Sequence, residues 1–142
     1  MKLQTKDLTG AALDWAVAKA DNNEAVTLQV ATAYWGQPKT YYLDAGYEDA
    51  DGREVTYEPS TDWAQGGPTI EREWIGIDAM PSYENCVAGV RWAATAPMTD
   101  EPGRELMLTE YGPTPLIAAM RCYVASKLGA EVEILDELQP KE

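Results

Sequence analysis

The residues best suited to chemistry lie in one segment, Pro59-Ser60-Thr61-Asp62-Trp63-Ala64-Gln65-Gly66-Gly67-Pro68. Ser60, Thr61, Asp62 and Gln65 supply short polar donors and acceptors, and Trp63 supplies a flat indole. Gly66 and Gly67 let backbone amides approach a bound group closely. Tyr57 precedes the segment, and Tyr34, Trp35, Tyr41 and Tyr42 fall on neighbouring strand candidates, so a base or another planar group could stack there. Arg121 is a rare positive charge, available to neutralise a phosphate. The expected ligand is therefore small and nucleotide-like, held by Tyr57, Ser60, Thr61, Asp62, Trp63, Gln65, Gly66, Gly67 and Arg121. A competing reading makes the segment a tight loop in which Asp62 and Ser60 cap backbone amides, Trp63 plugs the core, and Arg121 pairs with a neighbouring carboxylate.

Most catalytic templates are absent. Without a single histidine, Ser-His-Asp and Cys-His arrangements cannot form, and neither can histidine-ligated zinc. The chain contains no GxxxxGK[ST] and no GxGxxG, which removes the familiar nucleotide hydrolases. Carboxylate pairs such as Asp62 with Glu71 or Glu73 keep a carboxylate-dependent enzyme as an alternative. Asp49-Ala50-Asp51-Gly52 with Glu58 partly fits a calcium loop, but Tyr47 stands at the first ligand position and Asp-Gly between strands signals a turn. The expectation is a nonenzymatic protein with no metal and no cofactor.

The net charge of −13, from 24 acidic and 11 basic residues, repels phosphate backbones and anionic lipid surfaces. Nonspecific nucleic-acid and membrane binding are not expected. The same charge suits an acidic interaction module that occupies a basic site on a partner protein, the main alternative to a ligand-binding role. Cys86 and Cys122 form no CxxC pair and read as buried free thiols. The start, Met1-Lys2-Leu3-Gln4-Thr5, has no apolar h-region, and no stretch has the length of a membrane span. A cytoplasmic location follows as the expectation, and an exposed sheet edge leaves room for a homo-oligomer.

These residues need a scaffold of 142 residues, enough for a single domain with its own core. Leu8, Ala12, Trp15 and Ala16, broadened by Leu13 and Val17, give a first helix over 8–20. Alternation over 26–31 gives a strand that continues to Trp35 and breaks at Gly36 and Pro38. Shorter strands are predicted at 40–43 and 54–58, where they could pair as a hairpin, and again at 69–77, 87–94 and 131–134. A second helix over 114–128 has Thr114 as cap, Pro115 at its first position, an apolar stripe of Leu116, Met120, Val124 and Leu128, and Gly129 beyond its end. The fold class is α+β, a mostly antiparallel sheet covered by two main helices, and 136–142 should fray.

Three blocks carry a resemblance: Leu8-Thr9-Gly10-Ala11-Ala12-Leu13-Asp14-Trp15-Ala16-Val17-Ala18, Ser60-Thr61-Asp62-Trp63-Ala64-Gln65-Gly66-Gly67-Pro68, and Gly112-Pro113-Thr114-Pro115-Leu116-Ile117-Ala118-Ala119-Met120-Arg121. In this order they resemble the NinX-like family of small phage and prophage proteins. The resemblance implies a lambdoid-phage accessory protein expressed in a bacterial cytoplasm, and it brings no catalytic residues. Pro59-Ser60, Asp62 and Trp63 are also similar to a short segment of phage proteins that sequester cyclic nucleotide signals in counter-defence. Together these likenesses imply that the ligand is a nucleotide-derived host signal.

Overall fold

The computed structural model describes residues 1–32, 35–36, 39–80, 92–97 and 107–139. The predicted strand over 87–94 therefore lies largely outside the described residues, as do Tyr34 and Cys86. Among the described residues the chain runs β1 (Lys2–Gln4), a 3-10 turn (Thr5–Asp7), α1 (Gly10–Ala20), β2 (Thr27–Thr32), β3 (Thr40–Glu48), β4 (Glu54–Thr56), α2 (Trp63–Arg72), β5 (Gly76–Ala79), β6 (Trp92–Pro97), β7 (Met107–Gly112), α3 (Pro115–Leu128), β8 (Glu131–Glu133) and a second 3-10 turn (Asp136–Leu138). The class is α+β, as expected. The strands form three small antiparallel sheets: β1 with β8, β2-β3-β4, and β5-β6-β7.

α3 sits at the centre because it is apolar on almost every side. Leu116, Ala118, Ala119, Met120, Cys122, Tyr123, Val124 and Ala125 are all buried, so this helix meets α1, the β5-β6-β7 sheet and α2 at once. Its ends follow the sequence. The Thr114 side chain accepts from the Ile117 amide at 3.1 Å, and Gly129 leaves the helix at φ 91°. Leu8, Leu13 and Val17 from the α1 side, Leu116, Met120 and Val124 from α3, and Ile75, Val132 and Ile134 form one core. A smaller cluster of Ala18, Val26 and Leu43 lies under the β2-β3-β4 sheet.

β3 and β4 pair as predicted, with Asp44 opposite Thr56 and Glu48 opposite Glu54. The acidic connection between them is a turn: Asp49 Oδ1 accepts from the amides of Asp51 and Arg53, both at 2.9 Å. β8 pairs antiparallel with β1, Leu3 facing Val132, which joins the two ends of the chain. The tail expected to fray is partly docked, since Leu138 packs against both cores.

The main correction concerns 63–77. A strand over 69–77 was expected, yet α2 occupies Trp63–Arg72 and only Gly76–Ala79 is extended. The alternation across Thr69 to Ile77 suggested a strand, but Gly66 and Thr69 form a buried helical face against α3. β7 and β1 were also not anticipated, because short strands with mixed burial carry little periodic signal.

Candidate functional site

The segment 59–68 is the entry and first half of α2, and its polar groups are largely engaged there. Chain reversal after β4 is fixed by the Glu58 carbonyl, which accepts from the amides of Thr61 at 3.1 Å and Asp62 at 2.9 Å. The Asp62 side chain accepts from the Ala64 amide at 3.0 Å and caps α2. Gln65 is a clamp: its Oε1 accepts from the Glu58 amide and its Nε2 donates to the Thr56 carbonyl, both at 2.8 Å. Thr61 is exposed, with its hydroxyl 3.5 Å from the Glu58 carbonyl.

The glycine amides are not free for a ligand. The Gly66 amide donates to the Asp62 carbonyl at 2.9 Å. A Cβ at Gly66 would fall 2.3 Å from the Pro59 carbonyl oxygen and 2.6 Å from Leu116 Cδ1, so this glycine permits close packing between α2, its entry loop and α3. Its neighbour differs: a Cβ at Gly67 would meet nothing within 4 Å.

Ser60 is fully buried. Its amide donates to Asp14 Oδ1 at 2.8 Å, fastening the entry of α2 to α1. The Ser60 Oγ is a buried side-chain oxygen without a hydrogen-bond partner among the described residues. Burial pushes the Asp14 carboxyl up to about 6, against the opposing pull of Ser60. Asp14 was not singled out by the sequence, since one aspartate in an apolar helical stripe carries no partner information.

Arg121 is engaged with backbone acceptors. It donates from Nε to the Leu8 carbonyl and from Nη1 to the Tyr111 carbonyl, each at 2.8 Å. The guanidinium thus ties α3 to β7 and to Leu8, two residues before α1, and it forms no ion pair among the described residues. Tyr57 is half-buried and packs against both cores, while burial and the nearby Asp21 and Asp14 carboxylates raise its phenol above the ordinary range. Of the other aromatic residues, Tyr42 on β3 donates to Glu54 on β4 at 3.1 Å, and Trp35 is fully exposed.

The carboxylate pairing also fails on geometry. Asp62 and Glu71 stand at opposite ends of α2, nine residues or about 13 Å apart along the axis, beyond the usual glycosidase separations. No His/Cys/Asp/Glu group able to hold a metal occurs among the described residues. An apolar recess of about 330 Å³ lies elsewhere, lined by Leu3, Leu8, Ala12 and Leu138, and includes none of the expected site residues.

What remains open is aromatic. Trp63 is 53% exposed instead of plugging the core, one helical turn before Gly67, where an added Cβ would meet nothing within 4 Å. At the other end of α2, Trp74 is 83% exposed and has φ 58°. Nearby polar groups are tied together: Arg72 pairs with Asp21 and Glu73, each at 3.1 Å, and Lys127 with Glu73 at 3.3 Å. Tyr123 donates to Asp21, and the Arg72 guanidinium lies 5.7 Å from the Tyr123 ring centre. The sequence held one unused signal for α2, the Asp62-x-x-Gln65 spacing of an N-cap followed by a glutamine three residues on.

Among the described residues, no helix is long and apolar enough to cross a membrane. No curated protein matches the chain. The family model described as Bacteriophage P22, NinX matches residues 4–127, a span that contains α1, α2 and all but the last residue of α3, and the protein belongs to that phage family.

Proposed function

We propose that this is a nonenzymatic phage accessory protein of the bacterial cytoplasm that acts by contacting a host protein through its acidic surface. One observation carries this reading. Ser60, Asp62, Gln65, Gly66 and Arg121, the groups best suited to grasp a small ligand, are bonded or packed inside the fold. The molecule is left to offer its exterior, where a net charge of −13 favours a basic partner through long-range attraction. Immobilised protein exposed to host lysate should retain a basic partner at low salt and release it near about 1 M salt, where screening is nearly complete. Failure to retain any partner at low salt would count against the proposal.

A second reading keeps the small ligand in reduced form. The half-exposed Trp63 indole, with open space beside the Cα of Gly67 one turn on, suits a planar group stacked on the α2 surface. Native mass spectrometry separates the two readings: a retained small mass that disappears in Trp63→Ala favours the stacked ligand and its sequestration.

A further inference from the structure

α2 ends in a backbone motif that normally calls for glycine. The Ile75 amide donates to the Ile70 carbonyl at 3.1 Å and the Glu73 amide to the Thr69 carbonyl at 2.9 Å, while Ile70 and Ile75 join the same apolar core. This is the six-to-one closure of a Schellman ending, in which the residue between cap and closure adopts a left-handed conformation. That residue is Trp74, at φ 58°. At the end of α1 the same closure, Asn23 amide to Ala18 carbonyl at 2.9 Å, places Asn22 at φ 54°, a residue type that tolerates the conformation. A bulky indole does not.

Packing gives no return for this strain, because Trp74 is 83% exposed. Its charged neighbours are unequal. Arg72 and Glu73 are held in ion pairs, whereas Glu71, in the last turn of α2, is exposed and joins no ion pair among the described residues. An exposed indole three residues beyond an exposed carboxylate that joins no ion pair, on a chain of net charge −13, is complementary to a planar cation. Arginine fits better than lysine, since a guanidinium can stack on the ring while donating to a carboxylate.

We propose that Trp74, with Glu71, forms a docking surface for an arginine-bearing segment of a protein partner; this rests on the protein-contact reading above. The test titrates hexa-arginine and hexa-lysine peptides into the full chain by calorimetry at low salt. Wild type should prefer hexa-arginine. Trp74→Gly should weaken hexa-arginine binding roughly three- to thirty-fold and erase the preference, while its melting temperature rises because glycine suits the backbone. Glu71→Gln should weaken both peptides with the fold unchanged. Undiminished arginine preference in Trp74→Gly, or a lowered melting temperature, would overturn the Trp74 surface and leave the acidic-module reading standing. Failure of both peptides to bind wild type would overturn both.

Discussion

α2 and α3 lie against each other and are built on opposite principles. α3 has a Thr114 cap, Pro115 at its first position, fourteen residues dominated by good helix formers, and Gly129 beyond its end. α2 has a cap in Asp62, but its middle is Gly66-Gly67-Pro68, three residues that disfavour helix, and Pro68 removes one internal hydrogen bond. α3 would be recognisable in any protein. α2 is helical because its surroundings require it: Gln65 clamps the loop before it, Asp14 holds Ser60, and Gly66 fits between the Pro59 carbonyl and Leu116. A helix can thus be specified by its intrinsic preferences or by its contacts, and the second kind is vulnerable at those contacts.

The contrast can be broken most forcefully at Gly66. Gly66→Ala improves helix propensity, yet its Cβ would fall 2.3 Å from a backbone oxygen. We expect a loss of about 3 kcal/mol in denaturant unfolding; an unchanged midpoint would show that α2 does not depend on this packing.

A smaller effect should follow the Asp14 anchor through pH. With its folded pKa near 6, above an unfolded value near 3.9, the carboxyl binds its proton more tightly in the folded state. The stabilisation from this group is complete below about pH 4 and is lost as pH rises through 6, a change on the order of 2 kcal/mol. Asp14→Asn, which keeps an acceptor for the Ser60 amide, should therefore gain on wild type between pH 4 and 7 in parallel melting curves. A constant difference across that range would refute the assignment.

The smallest effect has the opposite sign. Gly67→Ala adds a methyl where nothing lies within 4 Å, at a helical position, and should stabilise by roughly 0.5–1 kcal/mol. Adjacent glycines giving opposite signs under one substitution would sharpen the distinction between propensity and contact.

The candidate site was legible as a location, while the internal partners of its polar groups were not. Asp62, Ser60 and Gln65 drew notice because no apolar packing pattern accounts for them; the side chains of Asp62 and Gln65 have specific polar partners, and Ser60 is held through its backbone amide. Those partners are Asp14, Ala64, Glu58 and Thr56, and residue type cannot distinguish an internal acceptor from a ligand. Arg121 illustrates the same limit: its two acceptors are the backbone carbonyls of Leu8 and Tyr111, which any residues there would supply. Trp74 was hidden because apparent alternation placed it within a strand.

The sequence by itself determined the family, the α+β class, α1 and α3 with their boundaries to within two residues, and the acidic character of the surface. These depend on local periodicity, caps and composition, which need no knowledge of distant neighbours. The tertiary structure alone decided that 63–72 is a helix, that Asp14 anchors Ser60, and that an indole stands in a left-handed position in solvent. In each case the deciding interaction joins residues far apart in the chain or fixes a backbone angle against the preference of its side chain, and neither leaves a periodic mark.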